Sequence, residues 1–438
     1  GDLAEAEQLF KDTLDTARRA HGPDDLLTLT VLNDYGMVLQ ARKKLSEAEA
    51  AFRDAATGRA KVLAPAHPEV LESRHNLAVV LDDEGRWPEA KKIYEQVLAD
   101  KRRVLGPEHV DTLSAMNNLA VLLNRHGDSS AALVLLDEAY EAYRAVLGPE
   151  NLETLRVQIN LGQYAFLLGL RDRRPDLLKR SENVLQAAIA IGRRVLPPEH
   201  PDLLHALHNL GSLLRAWNRG DEAEPLLKEA LAGRQKTLGP GNPDTLATVL
   251  TFVLLLDGRK KSADAIRLSD EGLAAADKAG TTDSPTAIDL LLLRVDLSAT
   301  DHPPQSLAPA ERAVALTRKV FGETGEPSLR AQAKLGKILL RLDRPADAEP
   351  HLRAAYNGYH AAGSTRSSTF DAAGALGDCL VALKHYADAE PILQDSFEAL
   401  RTAGASKKVL QVAGERVAKL YEAWGKPEKA AEWREKLN

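Results

Sequence analysis

Imidazole binds metals and moves protons near neutral pH, so the twelve histidines of this 438-residue chain are its first candidates for chemistry. Three stand beside carboxylates, as His67-Pro68-Glu69, Glu108-His109 and Glu199-His200. A metal centre needs several ligands to converge, and its usual sequence marks are compact spacings such as HExxH or CxxC. Neither occurs here. The three pairs instead return at one equivalent point of a repeating pattern, which predicts helix-start chemistry and no metal site. The single cysteine, Cys379, lies in the apolar stretch "ALGDCLVAL" and reads as a buried, inert thiol. One cysteine also precludes an internal disulfide and fits a reducing, cytoplasmic compartment. GxSxG, GxGxxG and GxxxxGK[ST] are all missing. No catalytic residue and no cofactor are therefore expected.

Two other constellations point to binding. Arg330, Lys334, Lys337 and Arg341 are spaced i, i+4, i+7, i+11, which places four cations on one face of a helix. Aligned like charges repel by some tenths of a kcal/mol per neighbouring pair, and an acidic ligand would relieve them. Asp371 and Asp378, further along the chain, could neutralise the same face. Arg416 and Lys419 occupy equivalent positions two repeats on. The second constellation is a ladder of polar residues, Asp34, Asn76, Asn118, Asn160, Asn209, Thr251 and Asp296. An asparagine amide both donates and accepts, which suits gripping a peptide backbone without reading its side chains. The same amide could equally bond across to the next helix and order the stack.

Several partners are disfavoured. The net charge is −6, and the basic runs "RDRRPDLLKR" (171–180) and "GRKKSAD" (258–264) carry acids close by, so no nucleic acid is expected. The longest apolar runs, "VLTFVLLL" (249–256) and "IDLLLLRV" (288–295), are too short for a membrane span and suit buried helices. No membrane partner is expected either.

These residues must be positioned by a repeat. Pro23, Pro65, Pro107 and Pro149 are each 42 residues apart, followed by Pro198, Pro240 and Pro285 at intervals of 49, 42 and 45. Eleven residues after each comes the polar ladder position, then a large apolar residue, then a small one: Gly36, Ala78, Ala120, Gly162 and Gly211, with Val253 and Ser298 departing. Twelve residues on, or nineteen across one insertion, stands a second small residue: Ala48, Ala90, Ala132, Ser181, Ala223, Ala265 and Ala310. The pairing continues as Gly336/Ala348, Gly377/Ala389 and Ala418/Ala430. Four residues later sits a bulky apolar side chain, such as Phe52, Tyr94, Leu136, Leu185, Leu352 or Leu393; Ser269 and Arg434 are exceptions. Two antiparallel helices approach closely only where both carry small side chains, so the spacing predicts helical hairpins. The 44% apolar and 5% aromatic content, rich in Leu and Ala, agrees with helix. Pro68, Pro201 and Pro243 fall at predicted first turns, with Asn242 as a cap. "LRDRRPDLLK" (170–179) and "TDHPPQSLAP" (300–309) are expected to be lengthened turns.

This wording resembles the tetratricopeptide repeat, in the kinesin-light-chain-like variety with a 42-residue period. The resemblance covers essentially the whole chain. It implies an all-α, right-handed α-α superhelical solenoid of about ten helix pairs plus one unpaired N-terminal helix. Residues 1–20 would be that unpaired second helix, 22–426 the repeated pairs and 427–438 a capping helix, all in one continuous array. It further implies a concave groove lined by the first helix of each pair. Asn76, Asn118, Asn160 and Asn209 would line it, with Arg330, Lys334, Lys337, Arg341, Arg416 and Lys419 as its cationic part. Glu72, Asp82 and Asp83 would make its N-terminal rim acidic, and Arg125, Arg156 and His205 would reverse that further along. The position before the ladder reads Asn33, His75, Asn117, Ile159, His208 and Leu250, without the lysine of a co-chaperone carboxylate clamp. The expected function is a non-catalytic scaffold holding a protein or peptide segment, acidic towards the C-terminal half. The C-terminal "LYEAWGKPEKAAEWREKLN" resembles the end of the repeat region in bacterial Ser/Thr kinases, implying the interaction or regulatory part of a larger signalling protein. The alternative is a structural spacer or self-association module; the oligomeric state is left open.

Overall fold

The computed structural model describes residues 3–299, 302–363 and 367–437. Among them are twenty-one helices and no strand. The chain divides into two compact units, Gly1–Arg219 and Gly220–Asn438. The first contains α1 (Leu3–His21), α2 (Leu26–Ala41), α3 (Leu45–Val62), α4 (Pro68–Asp83), α5 (Trp87–Val104), α6 (Val110–Arg125), α7 (Ser129–Leu147), α8 (Leu152–Arg171), α9 (Pro175–Val195) and α10 (Pro201–Ala216). The second contains α11 (Gly220–Leu238), α12 (Pro243–Gly258), α13 (Ser262–Ala279), α14 (Pro285–Ala299), α15 (Pro303–Phe321), α16 (Glu326–Arg341), α17 (Pro345–Ala361), α18 (Ser367–Ala382), α19 (Tyr386–Thr402), α20 (Lys407–Ala423) and α21 (Pro427–Glu435). Even-numbered helices are the first of each pair. The architecture is the expected all-α superhelical repeat.

The small-to-large spacing has a direct structural cause. A Cβ added to Gly36 would lie 2.8 Å from the Phe52 ring, one at Gly162 2.6 Å from Leu185, and one at Gly336 2.4 Å from Leu352. The bulky residue four positions after the second small one thus rests against the first small one, inside its own hairpin. Ser181, which replaces alanine, turns its hydroxyl to the Gly162 carbonyl at 2.6 Å and so remains fully buried. Ser298, the other polar replacement, is bridged to Ser306 Oγ at 2.7 Å and receives a hydrogen bond from Arg294 at 2.7 Å.

Six of the first helices start alike. Asp25, His67, His109, Asn151, His200 and Asn242 each accept the backbone N–H two residues on through the side chain, at 2.9–3.3 Å. The histidine–acid pairs are therefore helix caps, each imidazole Nδ1 satisfying a donor that the first turn leaves open. Among the described residues no histidine, cysteine or carboxylate cluster could hold a metal ion.

Two expectations are corrected. The seven extra residues near 170–179 do not lengthen a turn. They extend α8 to 20 residues and α9 to 21, leaving Asp172–Arg174 as the connection. In 300–309, Thr300 and Asp301 lie outside the described residues, but Pro303 onward is helix, with Pro303 and Pro304 at the start of α15. Proline is tolerated there because first-turn N–H groups have no partner within the helix.

Contacts beyond chain neighbours decide which surface is the inner one. In the first unit α2 touches α4 and α8 touches α10; in the second α12 touches α14, α14 touches α16, α16 touches α18 and α18 touches α20. No pair of second helices makes a comparable contact among the described residues. Helices on the inside of a curved stack crowd together, so the first helices line the inner face of each unit.

Candidate functional site

The amides of the first unit divide between two roles. Asn76 Nδ2 donates to Asn33 Oδ1 at 3.3 Å, and Asn160 Nδ2 donates to Asn117 Oδ1 at 3.0 Å. Each bond joins successive first helices, so Asn76 and Asn160 order the stack. Asn209 is buried, and its Nδ2 has no partner among the described residues. Asn118 is half-buried and makes no hydrogen bond through its side chain among the described residues, so its amide is open to a ligand. Of the doublet Asn117-Asn118, one residue ties the stack and the other faces outward from it.

The rim charges are paired as well. Arg125 and His126 both bond Asp82; Arg156 bonds Asp202 at 3.0 Å and Glu153 at 2.8 Å; Glu72 lies 3.4 Å from Arg59. The pattern also contains a joint that the spacing did not single out. Arg59, 2% exposed, donates to the Glu69 carbonyl and to Ser73 Oγ, each at 2.9 Å, and to Thr30 Oγ1 at 3.0 Å. Lys101 and Arg234 likewise reach the carbonyl ten residues on, at Asp111 and Asp244. The 42-residue step from Arg59 to Lys101 was the available signal. Next to this joint His75 meets the Tyr94 ring edge-on at 5.3 Å. Burial, with Lys101 adding to it, lowers the His75 pKa to about 4.

In the second unit the four cations of α16 share one face, and acids of the neighbouring first helices answer them. Arg330 bonds Asp289 at 2.7 Å, Lys334 bonds Asp296, and Lys337 bonds Asp371. Arg341 donates to the Ala299 carbonyl at 2.7 Å. Two repeats on, Arg416 bonds Asp378 at 3.2 Å, while Lys419 is exposed. Desolvation by the surrounding helices raises the Asp378 carboxyl above its ordinary value, even though its side chain is 47% exposed, with Arg416 opposing. The sequence pointed to Asp371 and Asp378 as counter-charges; Asp289, two turns before Asp296 on α14, was missed.

Two clefts open on this face. One, of about 720 Å³, is bounded by Asp296 of α14, the α16 cations, Tyr359 of α17, and Ser367, Ser368 and Asp371 of α18. The other, of about 290 Å³, shares Ser367 and Asp371 but is walled by Phe370, Leu400, Val409 and Val412. Val409 and Val412 are 43% and 52% exposed, unusual for aliphatic residues at the start of a helix whose other face is buried. Neither cleft gathers a nucleophile with an activating base. Cys379 is buried, donates to the Pro345 carbonyl at 3.2 Å, and has its pKa raised to about 11 by burial.

Stacked helical hairpins, locked by a small-to-large contact and exposing their first helices along an inner face, define an α-solenoid repeat protein. The tetratricopeptide-repeat family matches residues 1–61, 33–103 and 69–145, and a second form of the same repeat matches 203–244. Residues 1–145 and 203–244 therefore carry tetratricopeptide repeats. Repeats of this kind form protein-interaction scaffolds and are typically non-catalytic. Among solved structures it is similar to nearly identical TPR-like repeats assigned to a kinesin light chain of Podosopora anserina, at 26% identity and a TM-score of 0.42, covering 49% of this chain and 98% of that one. It is also similar to BtubC (BKLC) from P. vanneervenii, at 21% identity and a TM-score of 0.47, covering 55% of this chain and 93% of that one. No curated protein matches the chain. Among the described residues no helix is long and apolar enough to cross a membrane.

Proposed function

We propose that this chain is a non-catalytic, cytoplasmic scaffold that holds an extended protein segment along the first-helix face, as the interaction or regulatory region of a larger signalling protein. One observation carries the reading: two adjoining clefts, one cationic and one apolar, share the Ser367–Asp371 wall on that face. An extended segment with acidic residues next to apolar ones fits both. Its acids would exchange places with Asp296 and Asp371 on Lys334 and Lys337, so binding is a difference between two sets of ion pairs and remains modest in strength. Asn118 supplies a backbone contact of the same kind in the first unit. Neither nucleic acid nor membrane is a partner in this reading.

The test is capture of partners by the full chain against the double variant Lys334→Glu, Lys337→Glu, followed by titration of each captured segment. Loss of two charge-assisted contacts weakens an acidic segment by about 1–3 kcal/mol. Equal affinity for both proteins would remove the charge-matching part. A second reading, a spacer or self-association module, is favoured by Leu3 and Leu9, which are 45% and 65% exposed on α1. Sedimentation separates the two: a monomer supports ligand binding, and a concentration-dependent dimer abolished by Leu9→Glu supports self-association.

A further inference from the structure

The cationic cleft contains two donors that the described residues leave unused. Tyr359 lines it, is only 3% exposed, and its hydroxyl lies near the Ser368 side chain without forming a hydrogen bond of good geometry. Arg330 Nε, on the opposite wall, is buried and also without a partner. A buried donor with nothing to donate to destabilises the free protein, and a bound acceptor removes that penalty. Burial, more than the nearby Glu326, raises the Tyr359 phenol above its ordinary pKa, so it remains a donor at neutral pH. The third wall is the first turn of α18, a 16-residue helix that contributes Ser367 and Ser368. A helix N-terminus favours negative charge. Among the residues lining the cleft, the four cations of α16 face two carboxylates, Asp296 and Asp371, while Asp289 and Glu326 lie beyond its walls.

We propose that Tyr359, Arg330 and the first turn of α18 form a subsite for a phosphoryl group, so that the segment held on this face carries a phosphorylated side chain. This rests on the reading that the face holds a protein segment. A phosphoryl group is favoured over a carboxylate by donor number. A guidanidinium edge, a phenol, two serine hydroxyls and two ammonium groups exceed what two carboxylate oxygens accept, whereas three oxygens and nearly two charges use them. The cleft is open and continues into the apolar one, which suits a side chain borne on a longer chain rather than a free small molecule.

The experiment uses the full chain and inorganic phosphate at constant ionic strength, read by calorimetry and by thermal shift. Phosphate is expected to bind and stabilise the protein, and Tyr359→Phe to weaken that binding about ten-fold, the loss of one charge-assisted hydrogen bond. Without phosphate, Tyr359→Phe should melt at the same temperature or higher, because the hydroxyl removed makes no hydrogen bond of good geometry. Arg330→Gln should weaken phosphate binding as well. A peptide with one phosphoserine should then bind more tightly than the same peptide unmodified and more tightly than glycerol phosphate. Equal phosphate affinity in the wild type and in Tyr359→Phe would overturn the subsite, and so would glycerol phosphate binding more tightly than the peptide. Partners captured equally well after phosphatase treatment and by Tyr359→Phe would leave the segment-binding reading standing and remove the phosphoryl group from it.

Discussion

Gly377 shows how little room a single position of this chain has. A Cβ there would stand 2.3 Å from a Leu393 methyl, and both neighbouring faces are filled. Gly377→Ala must push Leu393 off its place, which should cost about 1–3 kcal/mol as read by denaturant unfolding. His75 has a different kind of consequence. Its folded pKa of about 4 lies below the ordinary 6.5, so as pH falls the unfolded chain takes the proton first. Its contribution is fully present above about pH 6.5 and is lost as the pH drops towards 4, by about 3 kcal/mol. His75→Phe, which keeps a ring edge against Tyr94, should flatten that fall in a series of unfolding curves between the two pH values.

Turns between paired helices carry strain that differs from repeat to repeat. Gly85, Gly127 and Gly425 take a left-handed backbone there, and Lys43, Arg173, Asn218, Lys260, Asp343 and Lys384 take the same conformation with side chains. That conformation crowds Cβ against the carbonyl, a cost of roughly 1–2 kcal/mol that glycine avoids. Glycine in turn loses more backbone freedom on folding. Lys260→Gly should therefore raise stability by about 0.5–1 kcal/mol, measured as a higher unfolding midpoint, because Lys260 uses only its backbone there, closing the turn through Asp257 and leaving its ammonium unpaired.

Within each compact unit, each helix touches its sequence neighbours and at most the next first helix. Stability is then close to a sum of local and nearest-neighbour contributions. Leu393→Ala should cost about 2–5 kcal/mol locally. Hydrogen exchange should quicken in α17–α20 while α12 and α13, in the same unit, keep their protection. Loss of protection throughout the unit would show cooperativity of longer range than these contacts provide.

The helices, their pairing and the inner face were legible in the residues because they answer to local constraints repeated many times. Gly36 must be small for Phe52, Gly336 for Leu352, and the 3.6-residue period then assigns every other side chain to a face. The N-terminal caps were legible for the same reason. What each polar group does on that face was not. Asn117 and Asn118 are adjacent and chemically identical, yet only Asn117 meets Asn160; of the acids that could oppose the row from Arg330 to Arg341, the sequence indicated Asp371 but not Asp289. Those partners lie about a repeat away along the chain, and the angle at which one hairpin settles on the next selects among them. The idle hydroxyl of Tyr359 is the extreme case, since a group left without a well-placed partner has no counterpart in the sequence to reveal it. Close contact within a hairpin is set by neighbours in sequence, whereas charge and hydrogen-bond pairing between hairpins is set in three dimensions by competition among several chemically equivalent choices.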